Sequence, residues 1–98
     1  MYVLEIRETE TYARWFRGIR DRQAKARILA RIRRLSLGNP GDAASVGGGI
    51  SEIRIHHGPG YRVYFVERGE AVVILLAGGV KGTQQQDIGR ARRLAEQV

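Results

Sequence analysis

Cysteine is absent from this 98-residue chain, so it can build no disulfide framework, thiol nucleophile or thiolate zinc site. The only two histidines are neighbours, His56 and His57. Adjacent strand residues point to opposite faces, so the pair cannot chelate one ion and no metal site is expected. Long hydrophobic runs are missing too: the longest, Ala71 to Ala77, is far short of the roughly 20 residues a membrane helix needs. The first ten residues carry Glu5, Glu8 and Glu10, which does not read as a secretory signal. The expectation is a protein that enters no membrane and resides in the cytoplasm.

Acids are also in short supply, with 10 against 17 lysines and arginines, a formal charge of +7. That excess calls for a polyanionic partner, either nucleic acid or an acidic protein. Hydrophobic residues make up 43%, too many for a disordered tail, and the length allows one domain spanning residues 1–98.

Residues Tyr2 to Ile6 read as a short strand. Tyr12, Trp15, Phe16 and Ile19 follow at i, i+3, i+4 and i+7, the spacing of an amphipathic helix. Asp21 reads as the N-cap of a second helix, with Ala24, Ile28, Ile32 and Leu35 on one face and Gly38 as a left-handed C-cap. Asn39-Pro40-Gly41-Asp42 is loop, and Gly47-Gly48-Gly49 reads as a flexible connector, lacking the lysine and the strand-loop-helix setting of a phosphate loop. From Ser51 the period becomes two. Strands are expected up to the Gly58-Pro59-Gly60 turn, from Tyr61 to Glu67, and from Ala71 to Ala77, ended by Gly78-Gly79. From about Gln84, Ile88, Ala91, Leu94 and Ala95 recur at helical spacing. The sum is an α+β domain of order β-α-α-β-β-β-α, a helical hairpin packed on a mostly antiparallel sheet.

Three-residue turns would set His57 opposite Tyr61 and Glu67 opposite Ala71. Ile53, Ile55, Val63, Phe65, Val73 and Leu75 then share one face, while Arg54, His56, Arg62 and Tyr64 share the other with Ile74 and Leu76. The second face should present a basic, partly aromatic surface that the last helix covers in part.

Nine basic residues lie between Arg14 and Arg34, with Asp21 the only acid among them. Arg27, Arg31 and Arg34, at i, i+4 and i+7 with Lys25 nearby, form a stripe that could track phosphates or simply face solvent. Arg54, Arg62 and His56 on one sheet face, with Lys81 just beyond the last strand, are the sharper constellation. Guanidinium groups clamp phosphate oxygens and stabilise developing charge in phosphoryl transfer without a metal. Arg62 on the middle strand of the meander must be paired, solvated in a cleft or used; a salt bridge to Glu52 or Glu67 is the plain alternative. His56 is a candidate acid or base, or an ordinary surface histidine.

Several ordered motifs together resemble the RelE/ParE toxin superfamily, in particular the HigB-like branch called addiction module killer proteins. They are Ala24-Lys25-Ala26-Arg27-Ile28 leading into Arg34-Leu35, Gly38-Asn39-Pro40-Gly41-Asp42, Gly58-Pro59-Gly60-Tyr61-Arg62-Val63-Tyr64-Phe65, and Leu75-Leu76-Ala77-Gly78-Gly79 with Lys81, Thr83, Gln84, Asp87 and Ile88. The resemblance implies a compact RelE-like fold and a bacterial toxin-antitoxin module. It implies a cognate antitoxin of helix-turn-helix type, with operator DNA met only through the toxin-antitoxin complex. It also implies cleavage of mRNA on the ribosome, independent of metal or other cofactor. Arg62 corresponds to the family's sheet arginine, and Lys81 to its basic position after the last strand. Val80 stands where an acidic residue commonly precedes that lysine, and no tyrosine or histidine follows Lys81, so Tyr64 and His56 become the candidates for proton transfer. ParE members share the fold but poison DNA gyrase, and a degenerate toxin would retain only antitoxin binding.

Overall fold

A computed structural model describes residues 3–98. The chain runs through β1 (Glu5–Glu8), α1 (Glu10–Gly18), α2 (Arg22–Ser36), β2 (Ala43–Gly47), β3 (Ile50–Ile55), β4 (Tyr61–Arg68), β5 (Val72–Val80), a 3-10 turn (Lys81–Thr83) and α3 (Gln84–Ala95). The strands form one sheet in the order β1-β5-β4-β3-β2, antiparallel except for the β1–β5 pair. α1 and α2 pack on one face and α3 on the other, an α+β architecture with β4 at the centre.

Local chemistry sets the helix ends. Thr9 caps α1: its hydroxyl oxygen accepts from the Tyr12 N–H at 3.0 Å and donates to the Leu76 carbonyl of β5 at 2.6 Å. Asp21 caps α2 as its sequence position predicts, accepting from the Gln23 and Ala24 N–H groups. Gly38, at φ +87, closes α2 in a Schellman turn, its N–H donating to Leu35 O and that of Asn39 to Arg34 O.

Ile53, Ile55, Val63, Phe65, Val73 and Leu75 do share one face, buried with Tyr12, Ile28 and Leu35. Ile50, Tyr64, Val66, Ile74 and Leu76 line the other beneath Ile88 and Ala91 of α3. Burial of each such side chain is worth about 1.5–3 kcal/mol. The second face is therefore a second core over most of its area, and its basic character is confined to one end.

Four boundaries depart from the sequence reading. The first strand starts at Glu5 because Leu4 is drawn to α2, its N–H donating to Ser36 O at 2.7 Å; Tyr2 lies outside the described residues. Gly48 and Gly49 are a hairpin turn between β2 and β3, not a flexible connector, with φ of +66 and +80 that only glycine adopts cheaply. Both meander registers are two residues from the expected ones: Ile55 faces Tyr61 because the connection is the five-residue stretch 56–60, and Arg68 faces Val72, leaving Glu67 opposite Val73 instead of Ala71, because the three-residue turn slides along to 69–71. Finally, β5 runs through Gly78-Gly79 to Val80. A Cβ at Gly78 would collide with the Trp15 ring, and one at Gly79 with the Asp87 carboxylate, so these glycines let α1 and α3 approach a continuous strand. A bulge opposite Tyr64 and Phe65 completes the pairing.

Candidate functional site

Charge concentrates where β3 ends, β4 begins and β5 ends. The 56–60 connection is folded on itself, His57 N–H donating to Ile55 O and Gly60 N–H to His57 O. Arg54 and Arg62 face each other across β3 and β4, and Arg62 is paired with Gly79 on β5. Lys81 follows two residues later, its N–H donating to Gly60 O at 2.9 Å.

Two guanidiniums at one register position repel unless something holds them. Glu52, two residues before Arg54 on the same face, does so: its Oε1 accepts from Arg62 Nη1 at 3.0 Å and Arg54 Nε at 3.3 Å. Its Oε2 accepts from Gln84 Nε2 of α3 at 2.7 Å. Glu52 is 1% exposed and Arg62 8%, whereas the Arg54 side chain keeps 37% of its surface in solvent. The single carboxylate leaves this trio with a net positive charge, and among the described residues the buried Arg62 Nε has no hydrogen-bond partner. Burial, reinforced by Glu52, pushes the Tyr64 phenol upward, so it stays protonated. Asp87, 5% exposed, accepts from the Thr83 hydroxyl at 2.6 Å and packs against Gly79.

Outward from Arg54 the chain of charge continues. Asp42 sits 3.7 Å from Arg54 Nη1 and 2.5 Å from His56 Nε2. The hydrogen bond with His56, more than the attraction of Arg54, holds the Asp42 carboxyl below the usual carboxylate range. His56 is thus exposed yet oriented, the disposition of a general acid or base backed by a carboxylate. His57 turns to the α2 cap, 2.9 Å from Asp21 Oδ2, so the two histidines serve different pairs.

The helical candidates divide. Arg31 sends its guanidinium into the fold, donating to Arg54 O at 2.6 Å and to Pro40 and Asp42 O at 3.0 Å each. Desolvation is the main cause of its lowered pKa. Lys25 spans the helical hairpin, its Nζ 5.3 Å from the Phe16 ring centroid and 3.4 Å from Arg17 O. Arg27 and Arg34 are exposed, with no ion-pair partner among the described residues. An open cleft of about 310 Å³ brings Arg27, Arg31 and His56 together with Ala30 and Ile55. Lys81 is exposed and joins neither this cleft lining nor the Glu52 cluster by any hydrogen bond or ion pair among the described residues.

Gln84, Asp87 and Asp42 belong to the quoted motifs but carry no site role in the sequence, and Glu52 figures there only as a salt-bridge partner of Arg62. The signal for Glu52 is its place two residues from Arg54 on an alternating strand; Gln84 stands in the motif after Lys81, but its contact with Glu52 arises only because α3 packs there.

A family model described as phage-derived protein Gp49-like matches residues 14–96, a span that includes every residue of this cluster. The chain belongs to the Gp49-like family. Gp49-like proteins are toxins of the RelE/HigB type from toxin-antitoxin systems, and membership implies a cognate antitoxin as partner. An uncharacterized protein of Haemophilus influenzae is 46% identical to this Gp49-like chain over 95 residues, covering 97% of this chain and 96% of its own. No helix among the described residues is long and apolar enough to cross a membrane.

Proposed function

We propose that this Gp49-like protein is a toxin that cleaves mRNA on the ribosome, close to the HigB-like branch and neutralised by a helix-turn-helix antitoxin that alone contacts operator DNA. The observation that carries this reading is the Asp42-oriented His56 beside the solvent-facing edge of Arg54, at the sheet end where Lys81 also emerges. In the reaction the ribose 2′-oxygen bonds to the adjacent phosphorus, giving a cyclic phosphate, and the bond to the 5′-oxygen breaks. His56 takes the 2′-hydroxyl proton, and the departing 5′-oxygen gains one from solvent or a neighbouring acid. Arg54 and Lys81 offset charge on the phosphoryl oxygens, with Arg62 adding positive charge from behind.

Primer extension on a defined mRNA tests the proposal, with purified protein added to programmed ribosomes and to naked RNA. New 3′ ends inside the ribosomal A-site codon, seen only with ribosomes present, are expected. The burial of Arg62 against Glu52 favours a second reading, a gyrase poison that cuts no RNA. Growth arrest with intact mRNA and blocked DNA supercoiling would establish that one instead.

A further inference from the structure

The inward row of α2, Ala24, Ile28 and Leu35, is buried on the sheet. Its outward row is a second regular series: Ala26, Leu29, Ala30, Arg33 and Leu37 fall at i, i+3, i+4, i+7 and i+11, and all are exposed. Leu29 is 55% exposed and Leu37 48%, on a helix whose other side already serves the core. Alanines at 26 and 30 keep the ridge low, so a second helix could approach to an interaxial distance of about 8–10 Å.

The charge around the ridge has one sign. No acid occurs from Arg22 to Gly41. Arg22 and Arg33 fall within the row itself, next to Leu29, while Arg27 and Arg34 run along its Ala30 side, all four exposed and without an ion-pair partner among the described residues. A second copy of this chain would bring like charges together. A phosphate backbone would want an unbroken row of guanidiniums, but the row of 27, 31 and 34 loses its middle member to three backbone carbonyls. Exposed leucines and alanines set among unpaired guanidiniums match a helix with the complementary pattern, an apolar stripe bordered by carboxylates.

We propose that the outer face of α2 docks an acidic amphipathic helix of the cognate antitoxin, with Leu29 as the anchor. The identity of the partner rests on the toxin reading; the surface does not depend on RNA cleavage. On this geometry the antitoxin is held away from the Glu52 cluster, on the helix that Arg31 ties to the end of β3.

The test is a titration of the isotopically labelled full-length protein, followed by amide NMR. The probe is a synthetic helical peptide of about 20 residues, leucine along one stripe and glutamate on both margins. A scrambled peptide of equal composition and a single-stranded RNA of equal charge are the comparisons. The amphipathic peptide is expected to shift Ala26, Leu29, Ala30, Arg33 and Leu37, and to bind at least about tenfold more tightly than the scrambled one. Leu29→Glu, a surface change, should weaken it by a similar factor. Equal binding of both peptides, or none, overturns the proposal. Stronger shifts of the same residues by RNA assign the face to nucleic acid instead. Failure of the wild-type protein to cut mRNA would end the nuclease reading and leave this binding result standing.

Discussion

Arg62 Nη1 meets Glu52 Oε1 at 3.0 Å, with 10% and 1% of the two side chains exposed. Each ion makes the other tolerable, so removing one strands the other. Glu52→Ala is expected to cost about 3–5 kcal/mol of folding stability. Arg62→Ala should cost less, because Glu52 keeps Arg54 and Gln84. Urea unfolding of both variants checks this, and a milder effect for Glu52→Ala than for Arg62→Ala would refute it.

Activity should part company with stability at His56. Its side chain is 74% exposed and, among the described residues, its one polar partner is Asp42, so His56→Ala should leave the unfolding midpoint near that of the wild type. If His56 moves a proton in the reaction, RNA cleavage falls by about a hundredfold or more. Cleavage at the wild-type rate removes His56 from the chemistry.

Arg31 is held as a structural clamp by three backbone carbonyls. Arg31→Ala should destabilise the fold by about 1.5–3 kcal/mol, the scale of hydrogen bonds from a charged donor. It should also loosen the 39–42 loop that carries Asp42. Hydrogen exchange at Arg54, whose N–H donates to Asp42 O, reports the loosening. Unchanged protection there would contradict the clamp.

Glycines separate by what surrounds them. Gly78→Ala must displace the Trp15 ring and Gly79→Ala the Asp87 carboxylate, so each should cost about 1–3 kcal/mol. Gly18 ends α1 with open space around it and no positive φ, so Gly18→Ala should stabilise by about 0.5–1 kcal/mol. Thermal melts that rank all three alike would show that the close approaches carry no weight.

Acid should erode one contact in particular. The His57 hydrogen bond, then the Ala24 N–H, holds the Asp21 carboxyl below its ordinary value of 3.8. A folded value lowered in this way stabilises the fold above the ordinary value, and the contribution fades as pH falls through the folded one. Asp21→Asn keeps a capping oxygen but cannot titrate, so its stability should decline less steeply below pH about 4. Parallel acid limbs for the two proteins would count against the pair.

The faces of the meander were legible because side-chain alternation survives a two-residue slip: Ile53 stays inward whether it faces Val63 or Phe65. The loop length that sets the slip was not legible, since Gly58 and Gly60 permit several turns. β2 escaped notice because Ala43 to Gly47 is short and weakly apolar, and the run of glycines after it looks like slack until its positive φ values are seen. In the site, the shared face of Arg54 and Arg62 followed from the period of two. The sinking of Arg62 beneath α3, and the withdrawal of Arg31 from its helical stripe, came from tertiary contacts that helix and strand periods do not encode.

Thr9 is 67 residues from Leu76, yet its hydroxyl joins them. β1 reaches its partner β5 across almost the whole chain, while β3, β4 and β5 pair through nearby turns. During synthesis the meander can zip as it emerges, but β1 must wait for its partner, with the entropy of a long loop still to be overcome. The β1 edge is therefore the last seam to close, and a chain interrupted before residue 72 has no place to lay its own beginning.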